Sequence, residues 1–211
     1  FEVNEVARGL KTNRTKTIGI ILPELNNIFF SDIITAAEDL LRSHGYATMI
    51  CDCRSDVKRE EEAAEFLLHR RVDGLIMMPT GAEKKVLNKF RKSRRPVVLI
   101  DRRMENGDCD CVLVDNEGAA QNAVKRLMQK GHKKIGMITG PDNVYTARER
   151  QRGYELAMQE SSKARKDIKL LADGNYTIAG GAKAMRKLYE DNPDMTAVFI
   201  SNYEMTVGAM M

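Results

Sequence analysis

Short apolar runs alternate with amphipathic stretches along most of the chain. Ile18 to Leu22 reads as a strand, and Ile33, Ile34, Ala37, Leu40 and Leu41 then fall on one helical face, with Gly45 placed to end that helix. Strand Ala47 to Cys51 precedes a helix carrying Ala63, Ala64, Leu67 and Leu68 and ending near Arg71. Strand Leu75 to Met78, a helix through Val86, Leu87 and Phe90, and strand Val97 to Ile100 repeat the unit. It continues as strand Cys111 to Val114, a helix from Ala119 to Met128 closed by Gly131, strand Ile135 to Thr139 and a helix around Tyr154 to Met158. A weaker strand near Ile168 to Ala172, a helix with Ala182, Met185 and Leu188, and strand Ala197 to Ile200 follow; Gly180-Gly181 reads as a tolerated interruption of that helix. Such alternation predicts parallel sheets covered by helices on both faces, the doubly wound α/β class.

An internal echo divides this pattern in two. Lys16-Thr17-Ile18-Gly19-Ile20-Ile21-Leu22-Pro23 and Lys134-Ile135-Gly136-Met137-Ile138-Thr139-Gly140-Pro141 share a basic residue, an Ile-Gly strand start and a proline just past the strand. The glycine is expected to admit a neighbouring backbone, and the proline ends pairing because it has no N–H. The spacing suits duplicated lobes and is too long for a solenoid repeat. We therefore expect a linker at 1–15, a first lobe over 16–130 and a second over 131–211. Ligands of open parallel sheets bind beyond the carboxyl ends of the strands. Two facing lobes would enclose a cleft lined by the loops Pro23 to Phe30, Asp101 to Asn106, Gly140 to Thr146 and Ser201 to Glu204.

Composition adds mostly exclusions. The 211 residues are 43% hydrophobic and 30% charged with a net charge of +4, which fits a globular protein and points to no particular partner. No apolar run approaches the ~18 residues of a membrane span, and the first residues lack the pattern of a secretory signal. The chain starts without Met and stops within a helical pattern, so both ends read as cut. Lys84, Lys85, Lys89, Arg91, Lys92, Arg94 and Arg95 crowd one stretch; without interleaved aromatics or glycines this reads as a solvated helix face. Cys51-Asp52-Cys53 and Cys109-Asp110-Cys111 are spaced more tightly than structural zinc ligands and each abuts a strand, so neither a metal nor a disulfide is expected. His44, His69 and His132 lie in no nucleophile motif and there is no phosphate-binding loop, so neither catalysis nor a cofactor is expected.

Before the first strand, Asn4 to Lys11 has an N-cap residue and two helical turns containing a glycine, too short to be stable alone in water. A polyanion would order it.

Val6-Ala7-Arg8-Gly9-Leu10-Lys11, Asn26-Asn27-Ile28-Phe29-Phe30, Val72-Asp73-Gly74, Pro96 to Arg102, Val114-Asp115-Asn116, Gly131-His132-Lys133-Lys134-Ile135, Arg148 to Tyr154 and Gly174-Asn175-Tyr176 occur in one order along the chain. Together they resemble the lactose/galactose-repressor family, nearly end to end. The resemblance implies two lobes of the type I periplasmic-binding-protein kind with the C-terminal part incomplete, in a cytoplasmic homodimeric repressor that senses a small metabolite such as a sugar. It also implies operator DNA as a partner, read by a helix-turn-helix upstream and by a hinge in which Asn4, Ala7, Arg8 and Leu10 act, Leu10 as a minor-groove wedge. A protein co-regulator is a further possible partner; a membrane is not. The implied effector contacts are Phe29, Phe30, Asp101, Thr146, Arg150, Tyr176, Asn202 and Tyr203, with Phe29 favoured over Phe30. Arg150 is the family's effector-binding arginine, a planar fork of donors for hydroxyls, carboxylates or phosphates. The family usually carries an Asp just after the strand ending at Ser201; here Asn202-Tyr203-Glu204 stands instead, which leaves the sugar grip open. A periplasmic solute-binding protein, which shares the two-lobed fold, is the alternative.

Overall fold

A computed structural model describes residues 14–104, 109–161 and 170–211. The hinge positions Asn4, Ala7, Arg8 and Leu10 lie outside the described residues, as do the end of the loop after Asp101 and Ile168.

The strands are β1 (Thr17–Leu22), β2 (Ala47–Asp52), β3 (Gly74–Met77), β4 (Val97–Ile100), β5 (Asp110–Val112), β6 (Ile135–Thr139), β7 (Leu171–Asp173) and β8 (Ala197–Ile200). The helices are α1 (Ile28–Ser43), α2 (Val57–His69), α3 (Glu83–Lys92), α4 (Asn116–Gln129), α5 (Tyr145–Ser161), α6 (Ile178–Asp191) and α7 (Tyr203–Ala209). The first sheet has the order β2-β1-β3-β4-β5 and the second β7-β6-β8, with every pairing parallel. The strands carrying the echo, β1 and β6, thus hold equivalent places, each between the next two strands of its own sheet.

Two compact units divide between Leu113 and Val114. The boundary expected near Lys130 is therefore displaced, because α4 packs along α5 and belongs to the second unit. The packing is close: a Cβ on Gly153 would lie 2.1 Å from the carbonyl oxygen of Glu117. Local signals set most element ends. Asn27, Asp56, Asp115, Thr177 and Asn202 each accept a backbone N–H as an N-cap. Gly45, at φ +74°, follows the end of α1, a backbone conformation that side chains disfavour.

Two sequence expectations about glycine change. The room left by Gly19 and Gly136 is taken by side chains and not by backbone: an added Cβ would meet Leu67 Cδ1 at 2.7 Å and Met195 Sδ at 2.5 Å. Gly180 and Gly181 do not interrupt α6, which runs through them; a Cβ on Gly181 would lie 2.3 Å from the Met205 carbonyl oxygen, so the glycine admits α7.

In the first unit, Ile21, Leu67, Val72, Met77, Phe90 and Leu99 form one buried cluster, and Ile20, Leu22, Phe30, Ile34 and Met78 another. In the second, Ile135, Met137 and Tyr154 face α4 and α5, while Ile138, Leu188 and Met205 join α6 and α7. The Tyr154 hydroxyl donates to the carbonyl of Ile135 at 2.8 Å, and burial pushes its pKa up to about 12.

Charge is used locally. Lys85 and Lys89 pair with Glu61 and Glu65, so two of the crowded cations join α3 to α2. The cysteine pairs lie on β2 and β5, opposite edges of the first sheet with β1, β3 and β4 between them, and burial raises all four thiol pKa values. Asp73 fixes the approach to β1, accepting the backbone N–H of Thr15 at 2.9 Å and of Lys16 at 3.0 Å while pairing with Arg95 at 3.2 Å. Among the described residues no helix is long and apolar enough to cross a membrane.

Candidate functional site

In the second unit the side chains gather at the carboxyl ends of β6, β7 and β8, where the parallel sheet ends and loops begin. Arg150, on the second turn of α5, is half-buried. Its Nε donates to Oδ1 of Asn116 at 2.8 Å and its Nη1 to the carbonyl of Ser201 at 2.7 Å. Asn116 is buried at the start of α4, and its Nδ2 donates to the carbonyl of Val114 at 3.1 Å, which turns Oδ1 toward the guanidinium.

Helical spacing explains how these parts meet. Gly153 and Arg150 are three residues apart and share one face of α5. The close approach of Gly153 to Glu117 brings the first turn of α4 within reach of the arginine. Tyr154, fixed to β6, holds the same helix from its other side. The Arg-x-x-Gly-Tyr stretch is thus one device: one residue grips the neighbouring helix, one admits it and one anchors the whole to the sheet.

Ser201 follows β8, and its N–H donates to Ile138 at 3.1 Å. The residue is 7% exposed, and its Oγ is buried without a hydrogen-bond partner. The Tyr176 hydroxyl is likewise buried and unpartnered. Tyr176 and Asn175 both take left-handed backbone, at φ +54° and +50°, which turns the ring onto Gly140. A Cβ at Gly140 would come within 2.3 Å of that ring, so this glycine makes the ring's place. Thr146 is buried in the first turn of α5.

Two expected contacts have other roles here. Both polar atoms of the Asn202 side chain are engaged, Oδ1 accepting from Met205 N at 3.0 Å and Nδ2 donating to Glu204 at 2.6 Å. Tyr203 is 68% exposed at the start of α7. Asn116 and Ser201, which orient the arginine, were not singled out from the sequence. The signal for Asn116 was present: it follows the capping Asp115 immediately after a strand, at the same end of the sheet as the other loops.

In the first unit, Phe29 and Phe30 make an edge-to-face pair with centroids 5.4 Å apart. Phe30 packs among Ile20, Leu22 and Met78, which removes it from the set of available contacts, whereas Phe29 is 43% exposed. Asp101 is buried after β4 at φ +65°, with its carboxylate 3.6 Å from Nε of Arg102. Arg102 donates to the carbonyl of Pro79 at 3.0 Å.

That loop has a further support that the sequence did not suggest. Glu60, on α2 and 0% exposed, accepts the backbone N–H groups of Thr80 at 2.6 Å, Gly81 at 3.1 Å and Ala82 at 2.6 Å. Burial pushes its pKa upward, opposed by the bonds from Ala82 and Thr80. The thiol of Cys53 lies 3.3 Å from the Thr80 hydroxyl. The loop after β3 is therefore pinned from beneath by a carboxylate.

Nothing in either unit pairs a nucleophile with a base among the described residues, and no group of three or more His, Cys, Asp or Glu side chains converges there on a metal position. The second unit's set is suited to hold a polar molecule: a cationic fork on neutral supports, two buried hydroxyls and an aromatic face.

Residues 15–211 match the family described as periplasmic binding proteins and the sugar-binding domain of the LacI family. Across all 211 residues the chain is 30% identical to catabolite control protein A of Priestia megaterium, covering 63% of that protein. It is 29% identical over 205 residues to the transcriptional repressor CytR of Escherichia coli K12, covering 97% of this chain and 60% of the repressor. Among solved structures, the transcription regulator CcpA of Lactococcus lactis is similar at a TM-score of 0.81 and 30% identity, over 92% of this chain and 72% of that one. A LacI-family sugar-binding regulator from Escherichia coli, complexed with phosphate, is similar at a TM-score of 0.78 and 27% identity, over 93% and 72%. The chain spans about 63% of the length of the curated relatives it matches.

Proposed function

The chain belongs to the family of periplasmic binding proteins and LacI-family sugar-binding domains, and on that premise we propose that it is the effector-sensing core of a transcriptional repressor. It binds a small metabolite, a sugar or sugar derivative, and catalyses no reaction. The observation that carries this reading is Arg150, held by Asn116 and Ser201 at the carboxyl ends of a parallel sheet with donors to spare and no reactive partner. Such a group binds and orients a ligand. Phe29 and Tyr176 offer aromatic faces, and Thr146 and Asp101 lie at the same strand ends in their respective units.

The regulator reading is favoured over a solute carrier because the relatives that match along this chain's whole length are named as transcriptional regulators. Operator DNA is then the second ligand, contacted through a hinge at Asn4 to Lys11 and an upstream helix-turn-helix, in the cytoplasm. The repressor acts as a homodimer, for which exposed Leu40, Ile50 and Phe66 supply apolar surface, and a protein co-regulator is a further partner. Effector and DNA are coupled through two conformations, and the coupling equals the effector's difference in affinity between them.

The test is a thermal-shift screen of the full-length protein against sugars, sugar acids, sugar phosphates and nucleobases, followed by operator binding with and without the hit. Stabilisation by one class together with altered DNA affinity is expected. Turnover of a hit, or binding with no effect on DNA, would overturn the reading.

A further inference from the structure

We infer that the molecule bound at Arg150 is an oxyanion, a phosphorylated or carboxylated metabolite, and not a neutral sugar; this rests on the effector-binding reading above. The guanidinium's hydrogen bonds go to two neutral acceptors, Oδ1 of Asn116 and the carbonyl of Ser201. Among the described residues it forms no ion pair. One turn along the same helix Arg152 does, to Glu117 at 2.9 Å.

Carboxylates near in sequence are already committed. Glu117 serves Arg152, Glu204 accepts from Asn202, and Glu149 lies 3.5 Å from the Tyr145 hydroxyl. The positive charge of Arg150 is thus half-buried and unbalanced, and part of its donor fork remains open.

The hydroxyls around it point to the same ligand. Ser201, which holds the guanidinium through its carbonyl, has a buried and unpartnered Oγ, and the Tyr176 hydroxyl is also buried without a partner. Each can donate. A neutral sugar presents many hydroxyls and needs acceptors for them. The loop after β8 offers Asn202, whose amide atoms are both engaged, and an exposed Tyr203. A site rich in donors and poor in acceptors fits an acceptor-only group such as phosphate or carboxylate, whose charge-assisted bonds are roughly twice as strong as neutral ones.

The experiment is calorimetric titration of the full-length protein with glucose, glucose 6-phosphate, gluconate and inorganic phosphate. Glucose 6-phosphate or gluconate is expected to bind at least about tenfold more tightly than glucose. Phosphate alone separates recognition of the free ion from recognition of the phosphorylated sugar, and gluconate separates carboxylate from phosphate. Arg150→Gln is expected to remove most of the preference for the charged member, and Arg150→Lys to keep part of it, which distinguishes loss of charge from loss of fold. Equal affinity for glucose and its charged counterparts overturns the oxyanion inference and leaves the effector-binding reading standing. No binding of any of the four overturns the inference and counts against that reading as well.

Discussion

Gly153 and Glu117 set how closely α5 lies on α4: a Cβ at the glycine would come within 2.1 Å of a carbonyl oxygen that cannot swing away. The same contact brings Asn116 to Arg150. Replacing Gly153 by Ala therefore forces the helices apart, against a gain in helix propensity of at most ~1 kcal/mol. We expect a net loss of about 2 kcal/mol or more, within the range for overpacked interiors. Denaturant unfolding measures it, and an unchanged or higher midpoint would show that α5 slides to accommodate the methyl.

Asn116→Leu is close to neutral in volume and removes the acceptor of Arg150 Nε. The expected cost to the unliganded protein is about 1–2 kcal/mol, that of an unmatched donor beside a charge. Ligand-induced stabilisation should fall much further, because the fork is no longer aimed. Melting with and without ligand separates the two effects; an unchanged ligand shift would mean that Ser201 alone fixes the arginine.

Glu60→Ala leaves three backbone N–H groups at the start of α3 without their acceptor. At about 1–3 kcal/mol for a buried donor left unmatched, a total near 3 kcal/mol is expected after partial relaxation and relief of the buried charge. Amide exchange at Thr80 and Ala82 should quicken with the fall in stability. Slow exchange retained there would show that the loop is held by other means.

Tyr154 supplies a limit at high pH. Its folded pKa, about 12, lies above the unfolded value near 10, so the folded state holds the proton more tightly. This contribution is complete below pH ~10 and is lost as pH rises toward 12 and beyond. The wild-type protein should lose stability steeply in that window, and Tyr154→Phe, about 1 kcal/mol less stable at neutral pH through the lost bond to Ile135, should lose less on alkalinisation. Parallel alkaline profiles would assign the loss to other groups.

The period of the apolar residues made the doubly wound class legible, and the paired Ile-Gly strand starts made two sheets legible, because burial on both faces leaves few other patterns. The unit boundary was not legible near Lys130. Helix α4 is amphipathic whichever sheet it covers, and only its glycine-mediated packing on α5 assigns it. At the site, Arg150 and Tyr176 were readable from the motifs around them. The engagement of Asn202 as a helix cap was not, since an amide placed for a ligand and an amide closing a helix have the same sequence. The support from Glu60 was hidden for a related reason: an acidic residue in a charged helix reads as solvated, and only the folded chain brings Thr80 to Ala82 over it.

Asp73 gives the first unit a direction. By clasping Thr15 and Lys16 it ties the incoming polypeptide to the amino end of β1, while Phe29 and Asp101 stand at the far ends of the strands. A six-residue strand is about 20 Å long. A disturbance at the ligand end thus reaches the Asp73 clasp only after crossing the full height of a stiff sheet. The sheet then behaves as a push rod: it can carry a rigid displacement from one end to the other, and it damps any local rearrangement that does not move the whole.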